Sequence, residues 1–139
     1  MLTGINPILT GKLLRQLDAM GHSDAVVVAD AHFPARRLGR RVIELPGYLS
    51  PDVTEALMTV LPLDDRHAVD LMAGTTGEAF EIHNELIRAT GQSESVARFI
   101  ERDEFYAASE GAYLIIRTGE MRSYGNVLLR KGLVEWDYS

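Results

Sequence analysis

Apolar residues fall into two rhythms along this chain. Short runs of four or five, β-branched and apolar on both faces, alternate with longer stretches whose apolar positions lie three and four apart. Leu13, Leu14 and Leu17 set the helical spacing first. Thr10 before them can cap and Gly21 after them can take a left-handed stop, which predicts a helix over 10–20. Ala25-Val26-Val27-Val28-Ala29 then reads as a buried strand, broken by Asp30-Ala31-His32-Phe33-Pro34. A second strand, 42–45, ends at Pro46-Gly47, and Ser50-Pro51 opens a helix with a cap and a first-turn proline. A third strand over 68–73 stops at Gly74-Thr75-Thr76-Gly77 and leads into a helix over 78–89 closed by Gly91. Residues 95–100 alternate as a strand does, 103–110 form a short helix stopped by Gly111, and 112–117 and 126–130 are the last strands. About six strands interleaved with helices make a layered α/β domain with helices on both sides of a sheet. The order of the strands is not legible in this pattern.

Composition narrows the class. The length of 139 residues is that of one domain, and no repeat, low-complexity tract or linker divides it. With 46% hydrophobic and 24% charged residues, the core is expected to hold without metal or disulfides. Cysteine is absent, which excludes a disulfide framework, a thiolate zinc site and a cysteine nucleophile, and suits a reducing cytoplasm. A formal charge of −6 argues against a nucleic-acid partner. The basic clusters Arg36, Arg37, Arg40, Arg41 and Arg130, Lys131 are short and read as solvated charge. No apolar run nears the roughly 20 residues of a membrane span, and the first seven residues lack the pattern of a signal peptide.

Polar chemistry concentrates around the first strand. Asp30 and His32 stand at its carboxyl end, where ligands of open α/β sheets bind. His22 follows the first helix, whose dipole and a nearby carboxylate, Asp24 or Asp30, would favour the imidazolium that a general acid near neutral pH requires. Taken singly, each has a plainer reading: His22 as a capping donor, Asp30 as a turn residue, His32 as a partner for a buried carbonyl. His22, Asp30 and His32 also invite a metal reading, although they match no compact metal motif. A second constellation, Thr118 to Asn126, is a glycine-containing turn that fits neither a phosphate loop, a nucleophile elbow nor a dinucleotide fingerprint. Arg102, before Phe105-Tyr106, offers a planar fork for two neighbouring oxygens, or is merely a surface charge.

Together these segments resemble the ribose pyranase/fucose mutarotase family (RbsD/FucU). The resemblance rests on Met20-Gly21-His22, on Asp30-Ala31-His32-Phe33-Pro34, and on Thr118-Gly119-Glu120 with the run from Tyr124-Gly125-Asn126 to Gly132. Ile5-Asn6-Pro7 and Leu13-Leu14 fit as well, and residues 66–94 match least. It implies one domain over 1–139, a three-layer αβα sandwich on a mixed sheet. It also implies His22 as the proton donor, with Asp30, Arg102, Tyr124, Gly125 and Asn126 as the sugar-binding residues. Arg102 lies where fucose mutarotases carry a sugar-contacting Arg and ribose pyranases typically carry His, which favours the fucose-like branch. Ala107-Ala108-Ser109 departs from the charged residues familiar from enteric fucose mutarotases, which bears on the choice of sugar. A homo-oligomeric ring, usually decameric, with sites near subunit boundaries is implied too.

The expected activity is reversible ring opening of a free monosaccharide, L-fucose or a similar aldose, needing no cofactor or metal. His22 would be the acid, with Asp30 orienting it; Asp30 or a water would be the base. Phe33 or Tyr106 would cover the sugar's apolar face. The rivals are a ribose-pyranase-type activity, a non-catalytic sugar-binding or transport-accessory protein, a metal-dependent hydrolase using His22, Asp30 and His32, and an oligomeric scaffold.

Overall fold

The computed structural model of the chain describes residues 1–137. Helix α1 (Gly11–Ala19) is capped by the Thr10 hydroxyl, which accepts from the Leu13 N–H at 3.3 Å. It leads into β1 (Ala25–Ala29), then α2 (Ala35–Leu38), β2 (Val42–Leu45), α3 (Ser50–Met58) and β3 (Val69–Met72). The second half runs α4 (Glu81–Thr90), β4 (Ala97–Ile100), α5 (Arg102–Glu110), β5 (Leu114–Thr118) and β6 (Val127–Arg130).

The six strands form one sheet in the order β2-β5-β1-β6-β3-β4. β1 and β2 each run parallel to β5, and β3 runs parallel to β4. β6 lies between β1 and β3 and runs against both. That reversal brings the start of β6 to the same sheet edge as the carboxyl ends of β1, β3 and β4. The inner strands are buried on both faces, which is why β1 is apolar at every position, whereas the edge strand β4 leaves Arg98 and Phe99 exposed. Val26 and Val28 face Leu13, Leu17, Val53, Leu57 and Leu86 of α1, α3 and α4. Val27 and Ala29 face Ala35, Leu38 and Phe105 of α2 and α5. The helices thus form layers on either side, giving the expected αβα sandwich.

Several local expectations are corrected. Gly21 does not stop α1 with a left-handed turn: the helix ends at Met20 in extended backbone, and Ser23 takes the positive φ of 70°. The cation at the carboxyl end of α1 is Lys131, whose Nζ donates to the Leu17 and Met20 carbonyls at 2.7 Å. Ser50 lies inside α3, which Leu49 precedes as cap, so the Ser50 hydroxyl turns instead to Glu120 at 3.4 Å. Helix α2 was not anticipated; it fills the chain after the Pro34 break. Gly111 closes α5 in right-handed backbone, whereas Gly91 at the end of α4 does take φ +69°. The stretch before β4 is a single 3-10 turn, Glu94–Val96.

Candidate functional site

The centre of the site is a carboxylate and an amide held face to face. Asp30 leaves the end of β1 and Asn126 precedes β6, which the antiparallel pairing of those strands places side by side. The Asp30 N–H donates to Asn126 Oδ1 at 2.7 Å, and Asn126 Nδ2 donates to Asp30 Oδ2 at 3.0 Å. The His32 N–H donates to the other oxygen, Oδ1, at 3.0 Å. Burial raises the Asp30 carboxyl above its ordinary value of 3.8, while the Asn126 and His32 bonds pull it back. The result is a carboxylate of increased proton affinity with free lone pairs.

Around it lies a cavity of about 360 Å³ at the carboxyl edge of the sheet, within the range of small-molecule sites. Phe33 and Tyr106 form one apolar side, their rings edge to face at 5.4 Å and 86°. Arg102, the first residue of α5, opens onto the cavity with a solvent-exposed side chain whose nearest acidic partner is Asp103 at 3.7 Å. The His32 side chain lines the same space. Tyr124 closes the opposite side from a left-handed backbone, φ +65°, a conformation costly for an aromatic residue and common at ligand sites.

The Tyr124 turn is fixed from beneath. Glu120 is buried and accepts from Arg122 Nε and from its terminal nitrogen, both at 3.0 Å, and from the Arg122 N–H at 3.2 Å. Burial opposes the charge on Glu120, but the Arg122 bonds outweigh it and hold the carboxyl below its usual value. Arg122 also pairs with Glu85 on α4. The Glu120 carbonyl accepts the Ala31 N–H at 2.8 Å, which ties this turn to the segment carrying Asp30. Gly125 does not line the cavity; it packs on Glu120 and Ser50, and a Cβ there would lie 2.8 Å from Glu120 Cγ.

Of the residues singled out in the sequence, Asp30, His32, Arg102, Tyr124 and Asn126 are thus brought together. His22 is not. It stands at the amino end of β1, and the strand's five residues at about 3.3 Å each set it roughly 17 Å or more from Asp30. Its Nε2 lies 3.6 Å from Asp64, with the side chain 53% exposed, so neither Asp24 nor Asp30 is its carboxylate neighbour. Asp24 accepts the Gly21 N–H instead. Asp30 therefore does not orient His22 within one protomer, and the set of His22, Asp30 and His32 weighed as a metal site does not converge. Among the described residues no group of three His, Cys, Asp or Glu side chains is placed to hold a metal ion.

The cavity's third wall comes from residues not singled out in the sequence. Met72, Ala73, Gly74 and Thr75 line it from the end of β3. The signal was present in the Gly74-Thr75-Thr76-Gly77 break, but assigning it to the site required knowing that β3 neighbours β6.

Comparison with known proteins bears on what this cavity holds. Residues 3–134 match the RbsD / FucU transport protein family. The chain is 34% identical to the L-fucose mutarotase of Glaesserella parasuis over 141 residues, covering 96% of each chain. It superposes with a TM-score of 0.89 on the fucose mutarotase of Streptococcus pneumoniae, solved in complex with L-fucose, at 29% identity over 96% of this chain and 100% of that one. Bacillus subtilis RbsD, solved with D-ribose, shares the fold with a TM-score of 0.78 at 24% identity, over 97% of this chain and 100% of that one.

Proposed function

The chain belongs to the RbsD / FucU transport protein family, and on that premise we propose that it is a sugar mutarotase interconverting the α and β anomers of a free aldose. The observation that carries this reading is the buried Asp30–Asn126 pair in the cavity beside Tyr124 and Arg102. A carboxylate of raised proton affinity next to donors and acceptors suits a polyhydroxylated, uncharged ligand whose protons must be moved. Asp30, directly or through a water, takes the proton of the anomeric hydroxyl as an acid protonates the ring oxygen. The bond between the anomeric carbon and ring oxygen breaks, a carbonyl forms, and after rotation the steps reverse on the other face. Asn126 and Tyr124 hold hydroxyls, Arg102 grips a pair of neighbouring oxygens, and Phe33 and Tyr106 cover the apolar side.

His22 is the acid in this scheme, acting on the cavity of a neighbouring subunit. Its exposed position at the opposite end of β1 supports this, because it cannot serve its own cavity and is open to another chain. The assembly is accordingly a homo-oligomeric ring, decameric as the family resemblance implies. L-fucose or a close relative is the preferred substrate: Arg102 supports the fucose-like branch, and the fucose mutarotases above carry that activity in their names. The absence of cysteine supports a cytoplasmic location, and among the described residues no helix is long and apolar enough to cross a membrane.

Saturation-transfer NMR between the anomers of L-fucose, with and without protein, tests the proposal. Faster exchange supports it. Binding of free sugars without faster exchange would favour the sugar-binding alternative instead.

A further inference from the structure

The proposed chemistry leaves one fully buried imidazole unused. His83, in the first turn of α4, is wholly inaccessible to solvent. Its Nδ1 accepts the Phe80 N–H at 2.9 Å, as the third residue of a capping box would. Because Nδ1 accepts, the ring proton sits on Nε2, which donates to the Met72 carbonyl at 2.8 Å. One side chain thus pins both ends of the 73–80 loop: its start at the end of β3 and its finish at the cap of α4. Phe99 packs edge-on against the imidazole at 5.1 Å and 80°.

The loop so pinned bears directly on the cavity. Ala73, Gly74 and Thr75 line it, and the Phe80 ring lies over Gly74, where a Cβ would come within 2.8 Å of that ring. Phe80 also stacks on Tyr124 with centroids 5.4 Å apart and planes only 5° from parallel. Tyr124 is held in a left-handed turn that its own side chain does not favour, and it is braced by the Phe80 stack and by the tilted His83 ring, whose centroid lies 6.4 Å away. We propose that His83 is a positioning residue for sugar binding: it staples the 73–80 loop and, through Phe80, sets the placement of Tyr124 at the cavity wall. The inference rests on the reading of that cavity as the sugar site.

His83→Leu removes both hydrogen bonds while keeping an apolar volume, and Phe80→Ala, at a partly exposed position, removes the stack with His83 intact. In anomer-exchange NMR both variants are expected to raise KM for L-fucose about 3- to 10-fold with kcat within about twofold, the size of contribution a stacked aromatic pair makes. Amide hydrogen exchange on the protein without sugar is expected to quicken at residues 74–80 in His83→Leu while the β1 amides stay protected. Imidazole ¹⁵N shifts of the wild type are expected to show an unprotonated Nδ1 and a protonated Nε2 for His83. Unchanged KM in both variants would overturn the positioning role, as would an Nδ1–H tautomer or unaltered exchange at 74–80. A wild type that accelerates no sugar's anomer exchange would sink the mutarotase reading alone, since the tautomer and amide exchange still decide the staple.

Discussion

Burial raises the proton affinity of Asp30, so the folded chain keeps a proton there that the unfolded chain has already released. The stability this gives is full below the ordinary value of 3.8 and is lost as pH rises through the raised one. At neutral pH the ionised carboxylate is therefore a cost to the fold, partly offset by Asn126. Asp30→Asn removes that charge and is expected to melt no lower than the wild type at neutral pH by calorimetry. Anomer exchange in the same variant should fall by about 10²- to 10⁴-fold, the range of acid–base help. A variant that loses stability and keeps activity would contradict the assignment. Single residues such as Asp30 and Asn126 were legible because strand ends announce themselves in sequence. Gly125 stands outside the cavity lining, and its missing Cβ leaves room for Glu120, a packing constraint that the sequence does not disclose.

Among the elements, the turn from Thr118 to Asn126 depends on a buried ionic support. Glu120→Gln keeps the shape but weakens three bonds from Arg122, and is expected to cost roughly 1.5–3 kcal/mol in urea unfolding, as for hydrogen bonds to charged groups. Because the folded Glu120 carboxyl lies below its ordinary 4.5, its support is present above that value and lost as pH falls through the depressed one. The variant should therefore show a shallower acid-side loss of stability than the wild type. His83 acts at the same scale with a related sign. Burial lowers its value below the ordinary 6.5, so the fold loses stability as pH drops from there, and His83→Leu should flatten that slope. The strands were readable to within two residues: β1 and β5, buried at the centre of the sheet, are runs rich in β-branched residues, and the half-exposed edge strand β4 alternates. Helix α2 was not, since four residues carry too little periodicity. Nor was the 73–80 wall, because strand order is a tertiary fact that no local spacing encodes.

For the whole molecule, the sheet separates the two groups to which the proposal gives the proton transfers. Asp30 and Asn126 lie at one edge and His22 at the other, so the proposed acid can reach a cavity only from a neighbouring subunit. His22→Ala and Asp30→Asn should each be inactive alone. When unfolded together and reassembled, they should recover up to roughly a quarter of wild-type exchange, the chance that a random boundary carries both intact residues. No recovery would place both residues' action within one chain or deny His22 its role. What was legible at this scale was the class of fold, from the alternation of strands and helices; the separation of His22 from Asp30 was not, because eight residues in sequence say nothing about which edge each one faces. Whether the cavity moves protons is decided by saturation transfer between the α and β anomers of L-fucose with wild-type, His22→Ala and Asp30→Asn protein. Exchange is expected to be faster with the wild type and to return to the uncatalysed rate with either variant. Uncatalysed exchange with the wild type, for L-fucose and then for D-ribose and other free aldoses, would contradict the proposal.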